Sequence, residues 1–155
     1  MARFGTGTHF PLLQEVRTYV YTRSKGAGPE SDVGTGPWTN GMVRGLLITE
    51  GIRRAMRAFG NQPLTGTQVQ WGLEHLTLTP AYLKELGAEG LFPPLTLSCR
   101  DHEGGGGVKF QQWDGTQWTA ITDWIATDQG LVRPLVEASA AKYAQEKGIT
   151  PRDCP

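Results

Sequence analysis

The sequence predicts a helix-rich mixed fold that closes on a β-hairpin and a final helix, and three observations carry that expectation. Apolar residues recur at helical spacing through most of the chain up to residue 87. Two alternating runs, Val108–Trp113 and Gln117–Thr122, flank Asp114-Gly115-Thr116, a turn signal between strands. A last helical pattern then runs from Leu131 to Gly148.

The elements follow in order. Phe10-Pro11 opens a helix whose Leu12, Leu13, Val16, Tyr19 and Val20 share a face and which stops before Gly26. Asp32 to Pro37 reads as a short extended piece, with a strand candidate near Val33. From about Thr39 to Phe59, Met42, Leu46, Leu47, Ile52, Met56 and Phe59 form a broad apolar stripe, with Arg53, Arg54 and Arg57 largely opposite; Gly60 ends this helix, the strongest in the chain. Thr65-Gly66-Thr67-Gln68 has the form of a capping box before a third helix carrying Val69, Leu73 and Leu76. Thr79-Pro80 begins a fourth, with Pro at the first helical position, ending at Gly87. Leu91 to Leu97 is an extended approach to the hairpin. Lys25–Pro29, Gly34–Pro37 and Gly104–Gly107 punctuate the chain as loops. The last helix carries Leu131, Leu135, Ala138, Ala141 and Tyr143.

An inconsistency follows from this inventory. A lone hairpin is marginal in water, and two or three strands are too few to cover several amphipathic helices. The chain is either a mostly helical α+β fold or part of something larger.

Composition narrows the partners. The 155 residues suit about one domain of ordinary size. Fifteen Lys and Arg balance fifteen Asp and Glu, and with no basic cluster nucleic acid is not expected as a partner. No apolar run approaches the roughly 20 residues that span a bilayer, so a soluble piece is expected. The start, MARFGTGTHFPLLQ, lacks the features of a secretory signal.

Chemistry is sparse. His9, His75 and His102 show no metal-ligand spacing, so no metal or cofactor is expected. Gly104–Gly107 lacks the GK[ST] ending of a phosphate loop and feeds a strand. Ser98 lies in no nucleophile elbow, and the carboxylate pairs Asp101/Glu103 and Glu85/Glu89 read as solvated, so no enzyme is expected. Trp113, Trp118 and Trp124 suit either an aromatic platform or cross-strand packing. Trp38, in a Gly/Pro loop ahead of the strongest helix and followed by Thr39 and Asn40, either walls a pocket beside free helix amides or tucks onto the core. Cys99 and Cys154 are either two thiols or one disulfide; a loop of about 55 residues, if closed, stabilises by roughly 4 kcal/mol in the chain-entropy model.

Three stretches carry a resemblance: NGMVRGLLITEGIRRAMRAFGNQPLTGTQVQWGLEHL from Asn40, LGAEGLFPPLTLSCRDHEGGGGVKFQQWDGTQWTAITDW from Leu86, and VRPLVEASAAKYAQEKGITPRDC from Val132. In order and spacing they resemble the C-terminal part of type I periplasmic solute-binding proteins of ABC importers, the receptors for branched-chain amino acids and amides, including the leucine-binding type. The resemblance covers nearly the whole chain from Leu12; MARFGTGT does not fit it. It implies an α/β fold, here an incomplete part of a two-lobed receptor, with residues 1–155 as one fragment: 12–98 mainly helices, 99–125 a hairpin near the last crossover, 130–155 the C-terminal helix and tail. It further implies a non-catalytic substrate-binding component for branched-chain amino acids, short amides or urea-like solutes, located in the periplasm. Its partners would be the solute, the ABC permease subunits and the remaining lobes of the parent receptor. By the same resemblance Trp38, where relatives often carry Tyr, and Asn40 line the ligand cleft, and an oxidising compartment favours a Cys99–Cys154 disulfide. The competing expectation is a free-standing protein-interaction domain that uses the Trp-rich hairpin.

Overall fold

The computed structural model describes residues 7, 9–116 and 118–154. Gln117, expected in the second hairpin strand, Pro155 of the tail, and residues 1–6 and 8 of the MARFGTGT start lie outside the described residues.

Helix α1 (Pro11–Val16) begins with Pro at its first position and runs on into a single wider turn, Arg17–Tyr21, before Gly26. The extended piece expected at Asp32–Pro37 is not formed. A tight turn at Glu30–Asp32 is followed by buried Val33, and α2 (Gly36–Phe59) has already started at Gly36. Pro37 explains the earlier start, because its fixed φ suits the first helical turn and its missing amide costs nothing there. Gly60, at φ 96°, ends α2.

The buried face of α2 differs from the expected stripe. Thr39, Val43, Glu50, Gly51 and Ala55 are buried, whereas Met42, Leu46 and Leu47 are half-buried and Phe59 is exposed. The cause is the neighbour. Helix α3 (Gly66–Glu74) starts on a capping box in which the Thr65 amide donates to Gln68 Oε1 at 2.8 Å and the Gln68 amide donates to Thr65 Oγ1 at 3.3 Å. It crosses α2 so closely that a Cβ built on Gly72 would lie 2.1 Å from the Gly51 carbonyl oxygen and 2.9 Å from Ala55 Cβ. Only small residues fit such a crossing, so burial there goes to glycine and alanine and the large side chains sit to either side.

The chain then forms β1 (Thr77–Leu78), helix α4 (Pro80–Glu85) and β2 (Leu95–Thr96), with β2 antiparallel to β1 in the register Leu78 opposite Leu95. Thr79 caps α4 by accepting from the Tyr82 amide. Gly87, at φ 65°, turns the chain back, and its carbonyl accepts from the Leu12 amide at 3.0 Å, tying α1 to α4. Phe10, Leu13, Val33, Val43, Leu76, Leu78, Leu83, Leu91 and Phe92 form one buried cluster between these elements.

The C-terminal third is built differently. Gly104, Gly105 and Gly106 all have positive φ and lead into β3 (Gly107–Val108), which pairs antiparallel with β6 (Ile125–Ala126). Between them lies the expected hairpin, β4 (Gln111–Trp113) and β5 (Trp118–Ala120), with Trp113 opposite Trp118. Helix α5 (Gln129–Lys147) is capped by Asp128 and ends at left-handed Gly148, yet it buries no residue, and Leu131 and Leu135 are each 67% exposed.

Among the described residues the fold is thus a small mixed structure of helices and three short antiparallel sheets. The parallel sheet implied by a two-lobed α/β receptor is absent among the described residues. The pairs β1–β2 and β3–β6, each two residues long, were not anticipated, because runs that short carry no alternation to read.

Gly72→Ala tests the helix crossing. It should lower stability by about 1–3 kcal/mol through overpacking, while Gly41→Ala, where a Cβ meets nothing within 4 Å, should be neutral or stabilising; thermal melts of the two variants that coincide would refute this account of the crossing.

Candidate functional site

Trp38 lies in the opening turn of α2, not in a loop ahead of it, and Asn40 follows on the same helix as expected. Trp38 is half-buried against the core, and its Nε1 donates to the Tyr21 hydroxyl at 3.3 Å. Asn40 is half-buried too, but residues two apart on a helix project in different directions, so the structure does not bring the two together. The Thr35 hydroxyl donates to the Asp32 carbonyl at 2.8 Å and does not cap the α2 amides.

A polar arrangement that sequence reasoning missed sits further along α2. Glu50 is only 3% exposed, with Oε2 accepting from the Tyr82 hydroxyl at 2.6 Å and Oε1 accepting from Arg53 Nη1 at 2.7 Å. Burial of an ionised carboxylate is costly unless it is paired and hydrogen-bonded, and here both oxygens are engaged. The bond to Glu50, reinforced by burial, raises the Tyr82 phenol above its ordinary value. The sequence signal was present but ambiguous: Glu50 interrupts an apolar stretch of α2, yet nothing in the chain links it to Tyr82, 32 positions on. Glu50 and Arg53 also border an open groove of about 710 Å³, lined as well by Leu12, Met42, Leu46 and Lys84.

A second cluster gathers at the end of α3. Arg152 in the C-terminal tail pairs with Glu74, which also accepts from Gln70 Nε2 at 3.0 Å and faces His102 Nε2 at 3.2 Å. The Arg152 guanidinium holds the Glu74 carboxyl below the usual carboxylate range, against a smaller opposing effect of burial. Cys99 and Cys154 are joined by a disulfide beside this cluster, with Cα atoms 5.5 Å apart.

The remaining candidates resolve into structural roles. Asp101 accepts from the Glu103 and Gly104 amides, shaping the turn before the glycines, and faces Arg133 at 3.5 Å. Glu85 and Glu89 are exposed. His75 stacks on Trp71 and bonds the Trp71 carbonyl oxygen through Nδ1. Among the described residues no group of three or more His, Cys, Asp or Glu is placed to hold a metal. Trp113 and Trp118 pack across the hairpin with ring centres 5.5 Å apart, and Lys109 lies 4.7 Å over the Trp124 ring. Trp118 and Lys109 also border a second groove, of about 530 Å³, with Phe10 and Lys84.

No family model and no curated protein matches the chain. A crystal structure described as an ABC transporter permease from the Pseudomonas fluorescens group is similar, at 41% identity and a TM-score of 0.89 over 99% of this chain. The chain spans 37% of the length of that protein. This finding corrects the resemblance drawn from sequence: the similar protein is named a permease and not a solute-binding receptor. The substrate-binding role for branched-chain amino acids, amides or urea-like solutes falls with it. So do the periplasmic location and the partnership with permease subunits and further receptor lobes.

Two titrations check the clusters. Because the folded Tyr82 phenol is raised, its contribution to stability is complete below the ordinary phenol value near pH 10 and is lost as pH rises through the higher folded value. Absorbance at 295 nm should therefore show Tyr82 ionising above the ordinary phenol value, and Glu50→Gln should bring it back toward that value; unchanged late ionisation in Glu50→Gln would discount the bond. Glu74 runs the other way. Its lowered value makes its contribution complete above the ordinary carboxylate range and lost as pH falls through the folded value, so acid denaturation of Glu74→Gln should begin from lower stability at neutral pH and show a shallower loss, and superimposable acid curves would exclude this role.

Proposed function

We propose that the chain forms part of an ABC transporter, as a portion of a permease-related protein, and that it is non-catalytic. The observation that carries this reading is the 41% identity extending over 99% of the chain to a protein described as an ABC transporter permease. The exposed apolar residues of α5 and the hairpin support it, because Leu131, Leu135, Trp118 and Ile121 are more than half exposed and a portion of a larger assembly leaves such surface for its neighbours. No helix among the described residues is long and apolar enough to cross a membrane. In this reading the chain therefore occupies an extramembranous part of the transporter. The non-catalytic part of the reading is supported by the pairing of the buried Glu50 carboxylate with Tyr82 and Arg53, which gives that group a structural use.

In-cell crosslinking of the tagged chain in its own host tests the proposal. Crosslinks to an ABC ATPase or to a membrane subunit of the same transporter are expected, together with loss of vanadate-sensitive ATP hydrolysis in membranes when the chain is deleted. Recovery of the chain free of every transporter component, with membrane ATP hydrolysis unchanged, would refute it.

A further inference from the structure

Helix α5 and the tail are held to the rest of the protein at one short loop, residues 99–105, and at Glu74 of α3. At the start of α5, Gln129 Nε2 donates to the Gly105 carbonyl at 2.6 Å, and Arg133 donates to the Arg100 carbonyl and faces Asp101. At the far end, Arg100 donates through Nε and Nη2 to the Cys154 carbonyl at 3.2 and 3.0 Å, and Cys154 is bonded to Cys99. Between these anchors no residue of α5 is fully buried, Val132, Val136 and Ala144 being half-buried. The disulfide is the covalent attachment of the C-terminal end, beside the part-exposed ion pairs Arg133–Asp101 and Arg152–Glu74.

The bond is also unsymmetrical. Arg152 Nη2 lies 3.0 Å from Cys99 Sγ, while the groups touching Cys154 approach its backbone carbonyl. Both cysteines are half-buried, and neither belongs to the buried core cluster. We propose that Cys99–Cys154 is a thiol-disulfide exchange site that works as a clasp: a dithiol reductant opens it, Cys99 is expelled as the thiolate while Arg152 is in contact with it, and α5 with its tail, Arg152 included, is then released.

The chemistry balances. One thiolate of the dithiol attacks Cys154 Sγ, forming a mixed disulfide and expelling Cys99 Sγ as a thiolate. The second thiol of the reductant then attacks its own sulfur in the mixed disulfide, releasing Cys154 Sγ, and the reductant departs as a disulfide. Two electrons and two protons pass from the dithiol to the two cysteines. A cation beside one sulfur lowers that thiol and makes it the better leaving group. Arg152 is the charged group in contact with the Cys99 sulfur, and it also pairs with Glu74, which faces His102.

The test uses the full chain, with reduced glutathione, a monothiol that stops at the mixed disulfide, and peptide mass spectrometry to read which cysteine carries it; dithiothreitol with hydrogen exchange reads the release. After brief exposure at pH 7 and an acid quench, glutathione should be found on Cys154 about fivefold more often than on Cys99, and Arg152→Gln should bring the two to within about twofold. Amide exchange across residues 129–153 should rise on full reduction by dithiothreitol while the segment from α1 to β2 is unchanged. Arg152→Lys, which keeps the charge, should retain the bias, and Cys154→Ser should show the released exchange pattern without reductant. Equal glutathione on both cysteines in the natural sequence, or exchange over 129–153 that ignores reduction, would overturn the proposal.

Discussion

The crossing of α2 over α3 at Gly51 and Gly72 is the constraint on which the body of the protein depends. A Cβ on Gly51 would meet the Leu73 side chain at 2.4 Å, and one on Gly72 the Gly51 carbonyl at 2.1 Å, so the two backbones are in contact. That contact fixes the end of α3, from which Leu76 and Leu78 drop into the core and β1 takes up its register against β2. It also sets the rotation of α2, which turns Glu50 inward and leaves Ile48 and Phe59 toward solvent. A close helix crossing places backbone where side chains would otherwise be, and the exposed apolar residues of α2 follow from it.

Glu50 follows from the same rotation. With its face turned inward, the carboxylate is either paired or excluded from the structure, and Tyr82 and Arg53 supply the pairing from α4 and from α2 itself. Removing one partner of such a group costs more than the pair contributes, because the survivor remains buried. The cluster therefore works as a specificity device as well as a contact: α4 docks on α2 in the position that brings a phenol to Glu50. An aliphatic residue at position 50 would pack in several registers, whereas the carboxylate accepts one.

How much of this was legible in the sequence depends on the range over which each signal acts. Local signals were sufficient for the Thr65 capping box, the Thr79-Pro80 start of α4, the Gly60 stop of α2 and the Asp114-Gly115 turn, because each involves residues within four positions of one another. Signals that act across the fold were not. The buried face of α2 was misjudged because hydrophobic spacing carries no information about a glycine crossing, and Glu50 with Tyr82 was missed because the partners are 32 positions apart. The resemblance to solute-binding receptors misled in a related way. It rested on shared strings of residues, and the protein with a matching structure over this length is described as a permease. Trp38 drew notice as a loop aromatic, yet Pro37 had already drawn it into the helix, where Tyr21 meets its indole nitrogen.

The two halves of the chain hold together by different physics, and the difference bears on what the protein does. From α1 to β2 a continuous buried cluster supplies cohesion, as in an independent domain. From β3 onward the apolar side chains, Phe110, Trp113, Trp118, Ile121, Ile125, Leu131 and Leu135 among them, are largely on the outside. Such a region gains little from burial and must be positioned by other means: cross-strand pairs in the hairpin, caps on α5, and a covalent tie between the tail and the loop before the glycines. A protein that ended its work at its own surface would bury these residues. Their exposure, held in place by attachments that are polar or covalent, is what the proposed role as a portion of a transporter assembly calls for, and under that proposal the working surface lies on α5 and the hairpin instead of on the groove beside Glu50.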